Sequence, residues 1–293
     1  MEERNGVSLE KEDYVEPECA LCGRPGEEQP LRRVPVDRIQ EKLREYEDRS
    51  DWPGVERHLL YWLREATENR DRRGQLMLNN ELMGYYRKQG KGQEARRYAE
   101  TAMELVKSLG MENTVTAGTT FVNAGTVMEA FGDPAGGLSC FEQARENYER
   151  NLPPTDGRLG GLYNNMALAL TALERYREAE TMFRKALEIM GRQEYGELEQ
   201  AITWLNLADL AEAEDGPEGA EGKIEEYLTR AEALLRTESL PRNGYYRFVC
   251  EKCAPVFGRF GWFITEQELR RAAAGGCIPR KRERFCWPWP GRP

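Results

Sequence analysis

Apolar residues recur at helical spacing through most of the chain, and one stretch shows the pattern most clearly. A first stripe is formed by Tyr163, Met166, Ala167 and Leu170, and a second by Tyr176, Ala179, Phe183, Ala186 and Leu187. A polar turn at Glu174 and Arg175 separates the two stripes. Because each stripe can be buried against the other, this stretch predicts a hairpin of two amphipathic helices, with alanines where the helices approach closely.

The same hairpin recurs along the chain at a fixed interval. Ala95, Gly137 and Ala179 are each 42 residues apart, and so are Ala102, Ala144 and Ala186. Weaker units precede these three, between Leu43 and Trp62, and follow them, between Trp204 and Ala231 and between Cys250 and Ala274. The repeat therefore predicts an all-α solenoid built from about six stacked hairpins over residues 35–274.

Two glycine-containing stretches are predicted to lie between helices. The first, Asp215 to Gly219, is the turn of the fifth hairpin, where the repeat interval lengthens. The second, Gly157 to Gly161, follows two prolines and is predicted to be a turn between hairpins. The last hairpin is predicted to close with a shortened helix from Glu266 to Ala274.

This pattern resembles the tetratricopeptide repeat family. The landmarks that carry the resemblance are Leu162 to Leu170, Tyr176 to Glu180 and Phe183 to Leu187. The interval of 42 residues is longer than the family's usual interval of about 34, and it is similar to the long-helix repeats of kinesin light chains and many bacterial regulators. The resemblance implies a right-handed superhelix whose concave groove, lined by the first helix of each hairpin, binds a peptide or helix of another protein.

Residues off the packing stripe of each first helix are predicted to point into this groove. They are Asn80, Arg87, Thr126, Glu129, Asn164, Leu168, Thr171, Asp209 and Glu212. Asparagine also recurs at one place in successive repeats, at Asn123, Asn165 and Asn206. These amides are suited either to bonding between repeats or to contacting a ligand, and we favour the structural role.

The two ends of the sequence lack the repeat. Residues 1–34 contain nine acidic and five basic residues and no helical stripe, so we expect a mostly extended segment. Residues 275–293 contain five basic residues, one acidic residue and three prolines after Phe285. Such a composition cannot build a core of its own and predicts disorder.

Composition narrows the class of protein. The net charge is −9, which argues against a general nucleic-acid-binding protein, since such proteins need a basic surface. No run of about eighteen apolar residues occurs, and the first residues do not resemble a secretory signal. We therefore expect a cytoplasmic protein with reduced thiols that binds neither nucleic acid nor membranes.

Cysteine spacing suggests a metal site as an alternative. Cys19 and Cys22, followed by glycine, have the form of a zinc knuckle, which supplies two of the four ligands that zinc requires. Cys250 and Cys253 form a second pair that could supply the other two ligands, but they occupy positions that are apolar in the other repeats and are predicted mainly to pack there. Cys277 and Cys286 are further candidate ligands that no pattern positions, and Cys140 is predicted to lie inside a hairpin.

No catalytic constellation is evident. The single histidine, His58, lies on a predicted helix, where a surface or packing role is usual, and no phosphate-binding glycine motif is present. The sequence therefore favours a non-catalytic interaction scaffold or adaptor without a resident cofactor. The two alternatives are a sensor of a signalling peptide and a metal or redox module centred on Cys19 and Cys22.

Overall fold

The computed structural model describes residues 29–275, and within that range the chain forms twelve helices and no strand. The helices are α1 Val36–Asp48, α2 Trp52–Glu68, α3 Arg72–Lys88, α4 Gly92–Ser108, α5 Val115–Ala130, α6 Pro134–Asn151, α7 Gly157–Ala172, α8 Tyr176–Met190, α9 Glu197–Gly219, α10 Glu221–Leu235, α11 Gly244–Arg259 and α12 Phe263–Ala273. Consecutive helices pair as hairpins, which confirms the prediction of an all-α repeat protein.

The chain divides into two compact units. The N-terminal unit, Arg4–Gln193, contains α1 to α8 within its described residues, and the C-terminal unit contains α9 to α12. Within the described residues, the C-terminal unit spans 194–275. The hairpin pattern thus supplies the architecture of each unit, four hairpins in the first and two in the second.

Short polar side chains begin many of the helices. The carboxylates of Asp51, Asp71 and Asp133 each accept a hydrogen bond from a glycine amide three residues later. Such bonds satisfy amides that the helix itself leaves without partners. Asp71 also accepts a bond of 2.8 Å from the buried amide of Val34, so this one carboxylate fastens the segment before α1 to the start of α3.

The predicted turn at residues 157–161 is wrong. Gly157 is the first residue of α7, and its cap is Asp156, which accepts the amide of Arg158 at 3.0 Å. The turn between hairpins lies earlier, at residues 152–156. A Cβ at Gly160 would lie 2.7 Å from the terminal methyl carbon of Met190, so a larger residue there would require this flexible side chain to shift.

The other two expected boundaries also differ in detail. Helix α9 reaches Gly219, but Gly216 has a φ of 75° and interrupts the helix inside the predicted turn. Only glycine adopts that conformation without strain, so the bend falls at Gly216. Helix α12 begins at Phe263, three residues before the predicted start, and ends at Ala273.

Small residues allow the helices of the third hairpin to approach closely. A Cβ at Gly125 on α5 would lie 2.5 Å from the buried ring of Phe141 and 3.0 Å from the carbonyl oxygen of Gly137 on α6. The repeat columns that contain Ala102, Ala144 and Ala186 are fully buried in the same way. The recurring alanines and glycines therefore mark the crossings of paired helices, as the sequence predicts.

Candidate partner-binding face

Three first helices of the N-terminal unit, α3, α5 and α7, form one continuous layer. Helix α3 contacts α5, and α5 contacts α7, while α4, α6 and α8 each pack behind their own first helix. Helix α7 buries half of its residues and leaves one stripe partly exposed along its length. This stripe consists of Gly161, Asn164, Asn165, Leu168 and Thr171.

Helices α3 and α5 continue that accessible stripe. On α5 it consists of Asn123, Thr126 and Glu129, and on α3 of Glu81, Gly84 and Arg87. We call these partly exposed residues of the three helices the inner face. The side chains that the sequence predicts for the groove at Arg87, Thr126, Glu129, Asn164, Leu168 and Thr171 all lie on it.

Asn80 differs from the other predicted groove residues because it is only 5% exposed. Its amide nitrogen donates to the carbonyl of Leu76 at 3.0 Å and to the hydroxyl of Thr120 at 3.2 Å. The amide of Asn123 in turn donates to the side-chain oxygen of Asn80 at 3.2 Å. This buried network bonds α3 to α5, and it gives Asn80 and Asn123 the role of joining successive repeats.

Arg87 and Glu129 interact electrostatically from neighbouring helices. Burial raises the pKa of Glu129 to about 7, and the positive charge of Arg87 opposes part of that rise. Burial likewise lowers the pKa of Arg87, with Glu129 acting in the opposite direction. The ionisable residues of the inner face are these two and Glu81, so its charges lie on α3 and α5, and the stripe of α7 is uncharged.

Two glycines leave open space on the inner face. A Cβ added at Gly84 or at Gly161 would meet no heavy atom within 4 Å. Glycine in the middle of a helix lowers stability relative to alanine, so packing within this unit does not explain either one. Both positions allow another backbone to approach α3 and α7 closely.

The C-terminal unit pairs the two groove residues that the sequence predicts on α9. Asp209 and Glu212 both form ion pairs with Arg259 on α11. Burial raises the pKa of Asp209, while Arg259 lowers it. Sequence reasoning missed Arg259, although a basic residue in the last turn of the next first helix is a signal that could have indicated the pair.

The cysteines differ in what the structure shows of them. Cys19, Cys22, Cys277 and Cys286 lie outside the described residues, so the zinc knuckle stays a prediction. Cys250 and Cys253 are buried on α11, and Cys140 is buried on α6. Burial raises the pKa of Cys140 and of Cys250 to about 11, and it also raises the pKa of Cys253, so all three are thiols at neutral pH. Among residues 29–275, no three His, Cys, Asp or Glu side chains are grouped so as to hold a metal ion.

His58 has a packing role in the first hairpin. Its ring lies between those of Tyr46 and Trp62, with centroid separations of 5.7 Å and 6.4 Å. Its Nε2 lies 3.1 Å from the carbonyl oxygen of Ile39, and burial lowers its pKa. These contacts join α1 to α2.

Known structures share this architecture. The structure of BtubC (BKLC) from P. vanneervenii matches with a TM-score of 0.60 and 19% identity, covering 71% of this chain and 84% of that one. A variant of a putative kinesin light chain from Podosopora anserina, with nearly identical TPR-like repeats, matches with a TM-score of 0.50 and 15% identity, covering 69% and 93%. At these identities the likeness shows the fold alone. No curated protein matches the sequence.

The fold and its repeating columns define a helical-hairpin repeat protein. The profile of the tetratricopeptide repeat family matches residues 75–150 and 159–233, more than half of the chain. The chain therefore belongs to the tetratricopeptide repeat family, which confirms the resemblance seen in the sequence. None of the helices between residues 29 and 275 combines the length and apolar character that crossing a bilayer requires.

Proposed function

We propose that this protein is a non-catalytic scaffold whose inner face binds an extended peptide or a helix of a protein partner. The observation that carries the proposal is the accessible stripe that runs across α3, α5 and α7, next to otherwise buried surfaces of the same helices. Family membership supports the proposal, because stacked helical hairpins typically present such surfaces to other proteins. We place this activity in the cytoplasm, where the thiols would remain reduced.

The chemistry of the inner face favours a partner segment with few charges. The inner face carries hydroxyl and amide groups at Thr126, Asn164, Asn165 and Thr171, together with the apolar side chain of Leu168. Such groups bond to peptide carbonyls and amides, while an apolar side chain of the partner would pack on Leu168. A charged partner side chain would find its complement on α3 or at the end of α5, whereas the stripe of α7 offers none.

The open glycines provide a direct test. Gly84→Gln and Gly161→Gln each fill space on the inner face without meeting a neighbouring atom at the Cβ, and both replacements favour helix. Full-length protein and each variant would be used as bait, and the captured proteins identified by mass spectrometry. We expect at least one partner of the unchanged protein to be lost with both variants.

The matched control lies on a second helix, in the layer behind the inner face. Arg177→Gln places the same side chain on the exposed surface of α8, behind the inner face. Partners should be retained by this variant. If every partner is captured equally by the three variants and the unchanged protein, the inner face is not the binding surface and the proposal fails.

A further inference from the structure

Two large apolar side chains at the start of α12 are exposed to solvent. Phe263 is 62% exposed and Ile264 is 76% exposed. Ile264 is the second residue of α12, and the second residues of the other second helices in hairpins of this kind are also exposed. Those residues are Gln93, Ala135 and Arg177. An isoleucine at a position that is exposed to solvent in the other repeats requires an explanation other than packing within the hairpin.

Helix α10 contacts α12 directly after this apolar pair. Thr265 donates to Glu232 at 2.9 Å, and Glu268 pairs with Arg236, so α10 and α12 run side by side in the same direction. Helix α10 begins at Glu221 and therefore extends beyond the start of α12. Glu225 lies two turns before Glu232 on the same side of α10, about 10 Å along its axis.

We define the terminal patch as Phe263 and Ile264 together with the exposed carboxylates Glu221 and Glu225 on the turns of α10 that extend beyond the start of α12. The basic side chains of this stretch, Lys223 and Arg230, form ion pairs with Asp215 and Glu226. The described part of the C-terminal unit, which contains this patch, is acidic overall. Residues 194–275 contain sixteen acidic and nine basic side chains, while residues 29–193 contain twenty-five of each. A ligand of the terminal patch should therefore combine apolar side chains with positive charge.

The sequence that follows α12 has this composition. Residues 276–293 carry five basic residues and one acidic residue, together with Phe285, Trp287 and Trp289. Aromatic and arginine side chains are those that contribute most to binding at interfaces. The charge complementarity favours the C-terminal unit, since the described part of the N-terminal unit carries no net charge.

The geometry allows this segment to reach the terminal patch. Helix α12 has 11 residues, which span about 16 Å. The segment from residue 276 to Trp287 can extend to roughly 40 Å at about 3.3 Å per residue. A short covalent connection also raises the effective concentration of the segment to the millimolar range, so weak contacts suffice for binding.

We propose that residues 276–293 bind the terminal patch of their own chain. The aromatic side chains cover Phe263 and Ile264, and the arginines lie against Glu221 and Glu225. Binding within the chain would remove an exposed apolar surface that otherwise favours association between proteins. It would also make the terminal patch unavailable to any other basic, aromatic segment.

Native Cys286 allows the contact to be trapped in the full-length protein. In the Ile264→Cys variant, diamide would accept two hydrogens as the thiols at positions 264 and 286 join in a disulfide. Cys277 follows Gly275 by two residues and cannot span the length of α12. We expect the bond to Cys286 to form roughly tenfold faster than in a matched control, because docking raises the local concentration of the thiol.

The control is Glu251→Cys on α11. Glu251 is exposed and lies one turn after Arg247, whose guanidinium is 3.9 Å from the Cβ position of Gly275. An undirected segment would therefore reach position 251 more readily than position 264. Equal or faster trapping at position 251 would overturn the proposal, and so would a bond to Cys286 that forms only between two chains.

A second measurement leaves position 264 unchanged. Trypsin cleaves after the basic residues between Arg280 and Arg284, and intact mass reports how fast these bonds are cut in the full-length protein. Glu225→Lys should speed this cleavage several-fold, whereas Glu251→Lys makes the same charge change elsewhere and should leave the rate unchanged. Identical rates in both variants and the unchanged protein would contradict a contact at the terminal patch.

Discussion

Gly125→Ala tests whether the crossing of α5 and α6 depends on the absence of a single side chain. The new Cβ would lie 2.5 Å and 2.7 Å from two ring carbons of Phe141 and 3.0 Å from the carbonyl oxygen of Gly137. Carbon atoms pack best at about 3.5–4.0 Å. Phe141 is fully buried, so the ring cannot turn into solvent, and the helices must move apart.

The expected magnitude follows from two opposing contributions. Overpacking in a well-packed core costs about 1–3 kcal/mol, and the alanine regains about 1 kcal/mol of helix propensity. The net effect should be a loss of about 1 kcal/mol in the free energy of unfolding. Gly84→Ala is the matched control, since its Cβ meets nothing within 4 Å, and it should gain about 1 kcal/mol.

Urea unfolding followed by far-ultraviolet circular dichroism would measure both variants. The predicted separation of about 2 kcal/mol corresponds to midpoints that differ on the order of 1 M in urea, at a slope of about 2 kcal/mol/M. Phe141→Leu in the Gly125→Ala background should recover part of the loss by relieving the overlap. The reasoning is refuted if Gly125→Ala is as stable as Gly84→Ala.

Three further predictions concern single polar groups. Asp71→Ala should lower stability by about 2–3 kcal/mol in urea unfolding, because it removes a helix cap and leaves the buried amide of Val34 without its acceptor; faster hydrogen exchange at Val34 would identify the cause. Burial raises the pKa of Glu129 to about 7, so the folded chain binds this proton more tightly than the unfolded chain does. The free energy of unfolding should therefore fall as the pH rises from about 4.3 to about 7. Glu129→Gln should flatten this part of the plot of urea midpoint against pH. Arg259→Ala should destabilise the protein more at pH 7 than at pH 4, because without the arginine the ionised form of Asp209 loses its compensation; an equal loss at both values would contradict it.

The fold could be predicted from the sequence because the repeat places the same kind of residue at each helix crossing. Ala95, Gly137 and Ala179 are all buried, as their shared column predicts. The sequence predicts the helix boundaries less accurately than it predicts the helix crossings. The glycines at residues 157–161 predict a turn, yet they form the start of α7, which is capped by Asp156.

Helical phase predicts the candidate site. It indicates which side of a helix a residue lies on, but it does not indicate how deeply that residue is buried. Leu168 and Thr171 are partly exposed beside the packed side of α7, which is the direction that phase assigns to them. Phase could not show that Asn80 is buried, since the bonds that hold it come from Thr120 and Asn123, forty or more residues later. Contacts between repeats depend on how closely two first helices approach. The pattern of residues within one helix carries no information about that distance.

The most informative residues in this chain are therefore those that differ in type from the equivalent residues of the other repeats. Packing explains the residues at the helix crossings. A residue of the same type as its equivalents in the other repeats gives little information about partners. Gly84 and Gly161 lack side chains where their helices offer open space, and Ile264 is apolar where the equivalent residues face solvent. Each departure lowers the stability or the solubility of an isolated chain. A second surface that contacts these positions, from a partner on the inner face and from residues 276–293 on the terminal patch, would account for all three.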